Sequence, residues 1–167
     1  MTAEQKLKAF GAAFDYDVNY LLEVSESSPG AFSAFSAAQP MSEYRDRLSV
    51  DAHFVARIVT MQTEDCGPCA QLNLQMAIQA GVERKLLETL LYNPEGLPSL
   101  LAAVRNHVLG VVGQGGVDLE KGDELRRMLG EAAFAELAIC IAGSRIYPTL
   151  KRAMLAGQTC LKLDLKF

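Results

Sequence analysis

A chain of 167 residues, half of them apolar and 22% charged, can bury one ordinary core and is short for two. A formal net charge of −4 without any basic run argues against nucleic acid or an anionic membrane surface as partner. The start, Met1-Thr2-Ala3-Glu4-Gln5-Lys6, has no apolar leader segment, and the apolar run 132–143 is broken by Glu136 and too short for a bilayer; the expectation is a cytoplasmic protein with no membrane span.

Leu7, Phe10, Phe14, Val18, Leu21 and Leu22 recur at three- and four-residue steps and predict a first amphipathic helix over about 3–23. Ser25-Glu26-Ser27-Ser28-Pro29-Gly30 ends it, with Pro29 placed to open a second, shorter helix, and Gln39-Pro40 is a further break. A third helix is expected from Val50 to Thr63, capped by Ser49 or Asp51, with Phe54, Ile58 and Met61 on one face. The next starts at the cysteines and ends at Gly81, a suitable residue just past a helix end. Short helices near 83–91 and 97–110 follow. The glycines between Gly110 and Gly116 read as a hinge or turn rather than a phosphate loop, lacking the Lys-Ser/Thr that such a loop needs. Asp118 caps what comes next, one or two helices through Ile141, and Arg145 to Ala156 reads as a last one. Leu161, Leu163, Leu165 and Phe167 alternate with Lys162, Asp164 and Lys166, the pattern of a short C-terminal strand.

The chemistry concentrates at Cys66-Gly67-Pro68-Cys69. Two thiols three residues apart at a helix start face the same way, and the unpaired N–H groups and positive dipole end there favour the thiolate. In a leaderless chain such a pair is more often catalytic than structural. Zinc would need four ligands; Cys140 and Cys160 are far apart, and His53 and His107 form no pair with them, so neither metal nor cofactor is expected. Asn73 follows Cys69 by four and shares its face, able to hydrogen-bond a thiolate but not to act as a base. His53 titrates near neutrality and is a possible base, with a surface or satisfied core histidine as the alternative. Glu64, two residues before Cys66, is either a proton acceptor or an exposed turn carboxylate. His107 reads as structural, Glu136 as the outward face of its helix or a buried carboxylate, and Cys140 and Cys160 as packing residues.

Cys-Gly-Pro-Cys looks like a thioredoxin active site, but the alternating helix–strand pattern of that fold is missing. The stretch from Val50 to Gly81 more closely resembles the core of the AhpD-like, carboxymuconolactone decarboxylase superfamily: a helix, a polar turn at Glu64-Asp65, then Cys-x-x-Cys opening a helix that ends in Ala-Gly. The likeness continues through about residue 110, with a weaker match over Glu136–Arg152. It implies one all-α helical domain over 1–167 with its dithiol core at 49–110, and a homo-oligomer, most simply a dimer, with a trimer or hexamer also in the family's range. It further implies a thiol-dependent oxidoreductase served by an external thiol reductant and acting on a small peroxide or disulfide. The family's proton-relaying Glu and His positions hold Phe54 and Asn73 here, so that relay is not carried over and peroxidase turnover is expected to be slow. A helical assembly protein or redox sensor that keeps the fold without the relay is the rival reading; a decarboxylase, whose branch does not depend on a cysteine pair, is the weakest.

Overall fold

Thr2 opens the first helix with a reciprocal cap: its hydroxyl accepts the Gln5 N–H at 3.2 Å, and the Gln5 side chain accepts the Thr2 N–H at 2.9 Å. In the computed structural model, which describes residues 1–156, α1 spans Ala3–Phe14 and α2 spans Asn19–Ser27. The single helix expected over 3–23 is therefore two. Asp15 turns left-handed at φ 48°, and the chain folds back over Gly11, where a Cβ would lie 2.8 Å from the Tyr16 carbonyl oxygen. That reversal buries Tyr16, Val18, Tyr20 and Leu21.

Ser28 caps α3 (Pro29–Ala38), and Pro29 occupies its first position as the sequence predicts. A single turn, α4 (Pro40–Glu43), follows. The cap of α5 (Val50–Thr63) is Ser49 rather than Asp51, its hydroxyl accepting the Ala52 N–H at 3.2 Å. Helix α6 (Gly67–Gln79) ends before Gly81, which adopts φ 93°. Then come α7 (Arg84–Tyr92), a 3-10 turn at Pro94–Gly96, and α8 (Ser99–Val112), which runs into the glycine segment and narrows the joint. Asp118 caps α9 (Leu119–Leu129), accepting the Lys121 N–H at 3.1 Å.

The last helix, α10 (Glu131–Ala153), is continuous over 23 residues where the sequence divides it near Arg145. Pro148 sits inside it and removes one backbone donor. Both halves are tied to other elements, which offsets that loss. Glu136, in the first half, is buried, not outward-facing: its carboxylate accepts the N–H groups of Asp46 at 3.0 Å, Arg47 at 2.9 Å and Leu48 at 2.8 Å. Burial pushes its pKa up, and the three N–H donors outweigh that and leave it below the ordinary value. The second half holds Glu64, as described below.

The architecture is all-α, and no strand occurs among the described residues. The alternating segment 161–167 and Cys160 lie outside them. No helix of the described residues is long and apolar enough to cross a membrane. The main core surrounds α5, whose residues from Ala52 to Met61 are buried without exception, against α6, α8 and α10. Each of Ile58, Leu74, Leu87 and Leu137 is fully buried there, contributing roughly 1.5–3 kcal/mol apiece. A second apolar cluster joins Tyr16, Val18, Tyr20 and Leu21 to Met61, Cys66, Cys69 and Ala70, so the first two helices roof the cysteine end of α6.

Gly143 marks the closest approach of α10 to α4. A Cβ there would lie 2.5 Å from the Ser42 nitrogen and 2.6 Å from the Met41 carbonyl carbon. Gly143→Ala is therefore expected to lower stability by roughly 1–3 kcal/mol despite alanine's better helix propensity. Urea denaturation reads this directly, and an unchanged or raised midpoint contradicts it.

Candidate functional site

The α5–α6 junction sets the cysteines in place. Asp65 takes a left-handed conformation at φ 52°, and the Cys66 N–H bonds back to the Met61 carbonyl at 3.0 Å. Glu64 secures this turn from outside: Arg145 donates to its carboxylate at 2.7 Å, Arg152 donates to the same carboxylate, and Arg152 also donates to the Glu64 carbonyl at 3.0 Å. Its side chain is only 8% exposed. Burial raises its pKa, but the two guanidiniums outweigh burial and hold it below the ordinary carboxylate value. Both carboxylate oxygens are thus committed to arginines of α10. Glu64 is neither an exposed turn residue nor free to take a thiol proton; it is the clasp between the turn and α10.

Cys66 occupies the cap position of α6, and Cys69 lies in the first turn; they are joined by a disulfide. Cys66 is 1% exposed and Cys69 2%, so Cys66 is not the more accessible sulfur that its cap position suggests. The roof formed by Tyr16, Tyr20 and Leu21 accounts for this. What distinguishes the two is a cavity of about 290 Å³, whose wall includes Cys69 but not Cys66. Its other polar lining comprises Lys6 of α1, Tyr16 and Tyr20 of the α1–α2 reversal, Gln39, Ser42 and Glu43, Arg57 of α5, Asn73 of α6, and Ser144 and Tyr147 of α10. Leu7, Phe10, Leu21, Met61, Leu72 and Met76 supply the apolar part.

The Tyr16 hydroxyl lies 3.6 Å from the Cys69 sulfur and 3.3 Å from the Tyr20 hydroxyl, a short chain leading to the disulfide. The Lys151 ammonium sits 5.2 Å from the Tyr16 ring centroid and 5.6 Å from that of Tyr20. Lys151 is fully buried, and its nitrogen has no hydrogen-bond partner among the described residues. Burial drives the Tyr20 phenol far above its usual range, so it remains a proton donor.

Asn73 joins Cys69 on the cavity wall, as the three- and four-residue steps predict. Its amide nitrogen donates to the Cys69 carbonyl at 2.8 Å, leaving the side-chain oxygen without a partner. His53 stands apart: it is buried in α5, edge-on to Phe54 at 5.3 Å, and lines no part of this cavity. Phe54 instead lies under the Arg57 guanidinium, 5.5 Å away. His107 packs on Phe134 at 5.3 Å, beside a second groove between α8 and α9. Cys140 is buried with its thiol pushed up to about 11, chiefly by burial, and serves in packing as the sequence predicts. No three His, Cys, Asp or Glu side chains converge as a metal site among the described residues.

The sequence reading misses Tyr16, Tyr20, Lys151 and Arg57. Arg57 had a local signal, since a guanidinium flanked by Phe54-Val55-Ala56 and Ile58-Val59 in one helix is drawn into the core at a cost. The tyrosines and Lys151 meet Cys69 only through the tertiary fold. Against known proteins, no family model, curated protein or solved structure matches the chain.

The buried His53 carries a pH signature. Burial, aided by the Arg57 and Arg45 charges and opposed by Glu136, lowers its pKa to about 4. Between that value and the unfolded value near 6.5 the unfolded chain binds the extra proton, so stability is intact above pH 6.5 and falls with acidification. The expected loss by pH 4 is about 3 kcal/mol for this group. His53→Leu should flatten the stability–pH curve over that window in urea titrations; an equally steep variant curve assigns the effect elsewhere.

Proposed function

We propose that this protein is a thiol-dependent oxidoreductase in which Cys66 and Cys69 cycle between dithiol and disulfide. One observation carries the reading: the cysteine pair at the start of α6 presents the Cys69 sulfur to a cavity, within 3.6 Å of a phenol hydroxyl. The all-helical fold and the α5–turn–α6 arrangement support the resemblance to the AhpD-like superfamily, with Tyr16 standing in for the missing acid.

In the reduced state the helix N-terminus favours ionisation of the thiols. The Cys69 thiolate attacks the terminal oxygen of a hydroperoxide, its sulfur–oxygen bond forming as the O–O bond breaks. The departing alkoxide takes the Tyr16 proton and leaves as an alcohol, and Cys69 becomes a sulfenic acid. The Cys66 thiol gives its proton to the Tyr16 phenolate and attacks the Cys69 sulfur. The disulfide forms and hydroxide leaves as water with the proton Cys69 first shed. An external thiol reductant then attacks the disulfide, and a second thiol releases the mixed disulfide as the reductant's own disulfide. A disulfide substrate runs the same exchange in reverse. The buried Lys151 lies beside both phenols and lowers the cost of a transient phenolate.

Thiol counting should show Cys66 and Cys69 lost together on mild oxidation, at a potential above about −300 mV. Tyr16→Phe should slow peroxide consumption about 10²-fold, the lower end for a positioned acid, while leaving the disulfide able to form. A pair that resists oxidation sinks the reading. A normal potential with no peroxide consumption beyond that of the Cys69→Ser variant favours a redox sensor without turnover.

Self-association belongs to the same proposal. Val117, Leu119 and Met128 stand exposed along the start and outer face of α9, an arrangement suited to a second copy. Sedimentation equilibrium at micromolar concentration should give a dimer or larger; a species at 18.1 kDa defeats it.

A further inference from the structure

Arg57 sets the character of the cavity. It is 7% exposed, and its guanidinium lies over the face of Phe54 and 3.8 Å from the Met76 thioether. Its Nε has no hydrogen-bond partner, and no carboxylate lies within ion-pair distance of it among the described residues. Glu43, also on the cavity wall, is exposed and makes no ion pair with it. Arginine cannot escape by losing its proton. A charge held this dry is costly unless something anionic arrives to meet it. On the same wall the Asn73 side-chain oxygen, equally buried, is an acceptor awaiting a donor. A water satisfies neither need as well as a molecule carrying both groups.

We infer that the cavity binds a small monocarboxylate with an apolar body and a hydroxyl or amide hydrogen near its head. The carboxylate meets Arg57, the hydrogen goes to Asn73, and the body lies along Phe10, Leu21, Met61 and Leu72. A cavity of about 290 Å³ has the volume of some ten liquid waters at about 30 Å³ each, the scale of an eight-carbon acid. Binding of this class stands on the cavity alone. That the bound molecule is the one Cys69 acts on rests on the function proposed above.

Isothermal titration of the oxidised full chain with 2-hydroxyoctanoate, octanoate and octan-1-ol tests the assignment. Octanoate should bind roughly ten-fold tighter than octan-1-ol, and 2-hydroxyoctanoate several-fold tighter again, each step reflecting one satisfied buried group. Arg57→Met should abolish the carboxylate preference, and Asn73→Ala the advantage of the 2-hydroxyl. Because Arg57→Met can disturb the core, Met76→Glu supplies a second arm. It places a carboxylate where the thioether already touches the guanidinium, and should raise the melting temperature while removing octanoate binding and sparing octan-1-ol. Equal binding of acid and alcohol, no binding by any of the three, or a carboxylate preference that survives both variants overturns the inference. Thiol counting on the same samples separates the two readings. A chain that binds the acids but does not cycle its dithiol defeats the redox function alone, and one that cycles without discriminating acid from alcohol defeats this inference alone.

Discussion

A helix sealed from water on every side governs the rest of the molecule. From Ala52 to Met61, α5 is enclosed by α6, α8 and α10, and each polar group it carries must be satisfied there or remain costly. Thr60 returns its hydroxyl hydrogen to the Ala56 carbonyl at 2.8 Å. His53 gives up its charge. Arg57 cannot do so, and the place where it sits is the place where the core fails to close. The cavity is thus a consequence of the same burial that stabilises the fold.

The neighbouring helices turn that opening into a site. Helix α6 begins where α5 ends, so its first turn, with Cys69, lies at the edge of the buried region. The α1–α2 reversal covers that edge with two tyrosines, and α10 contributes both the arginines that clamp Glu64 and the ammonium packed on the tyrosine rings. Sulfur, phenol and guanidinium therefore reach one cavity from separate segments of the chain. Arginine clasps on the outside and an unpaired arginine within divide two tasks, holding the turn and receiving a charge.

Local signals carried much of this. Helix starts were legible wherever a side chain supplies the missing acceptor, as at Ser49 and Asp118, and wherever proline fixes the first turn, as at Pro29. The cysteine pair and its face-mate Asn73 were legible because helical spacing alone brings them together. The break at Asp15 was not, since the apolar period runs on through it; the bend, supported locally by Asp17 accepting the Asn19 N–H at 2.9 Å, buries Tyr16 and Tyr20 over Cys69. Glu64 and Glu136 looked like surface carboxylates because their partners, Arg145 and Arg152 in one case and the backbone of residues 46–48 in the other, lie 81 to 90 positions away. Periodicity also could not show that Pro148 would be absorbed within one helix.

The close approach at Gly143 has a consequence for α10 as a whole. Glu136, Cys140, Ser144, Tyr147 and Lys151 follow one another by three or four residues and so form a single inward stripe beside that glycine. Contact without a side chain between α10 and α4 fixes the rotational phase of the helix about its own axis. A one-residue insertion anywhere between Glu136 and Lys151 would turn everything beyond it by about 100°, unhooking the ammonium from the tyrosines or the carboxylate from its loop. Across descendants of this sequence, α10 is free to vary in its outward residues but not in its length.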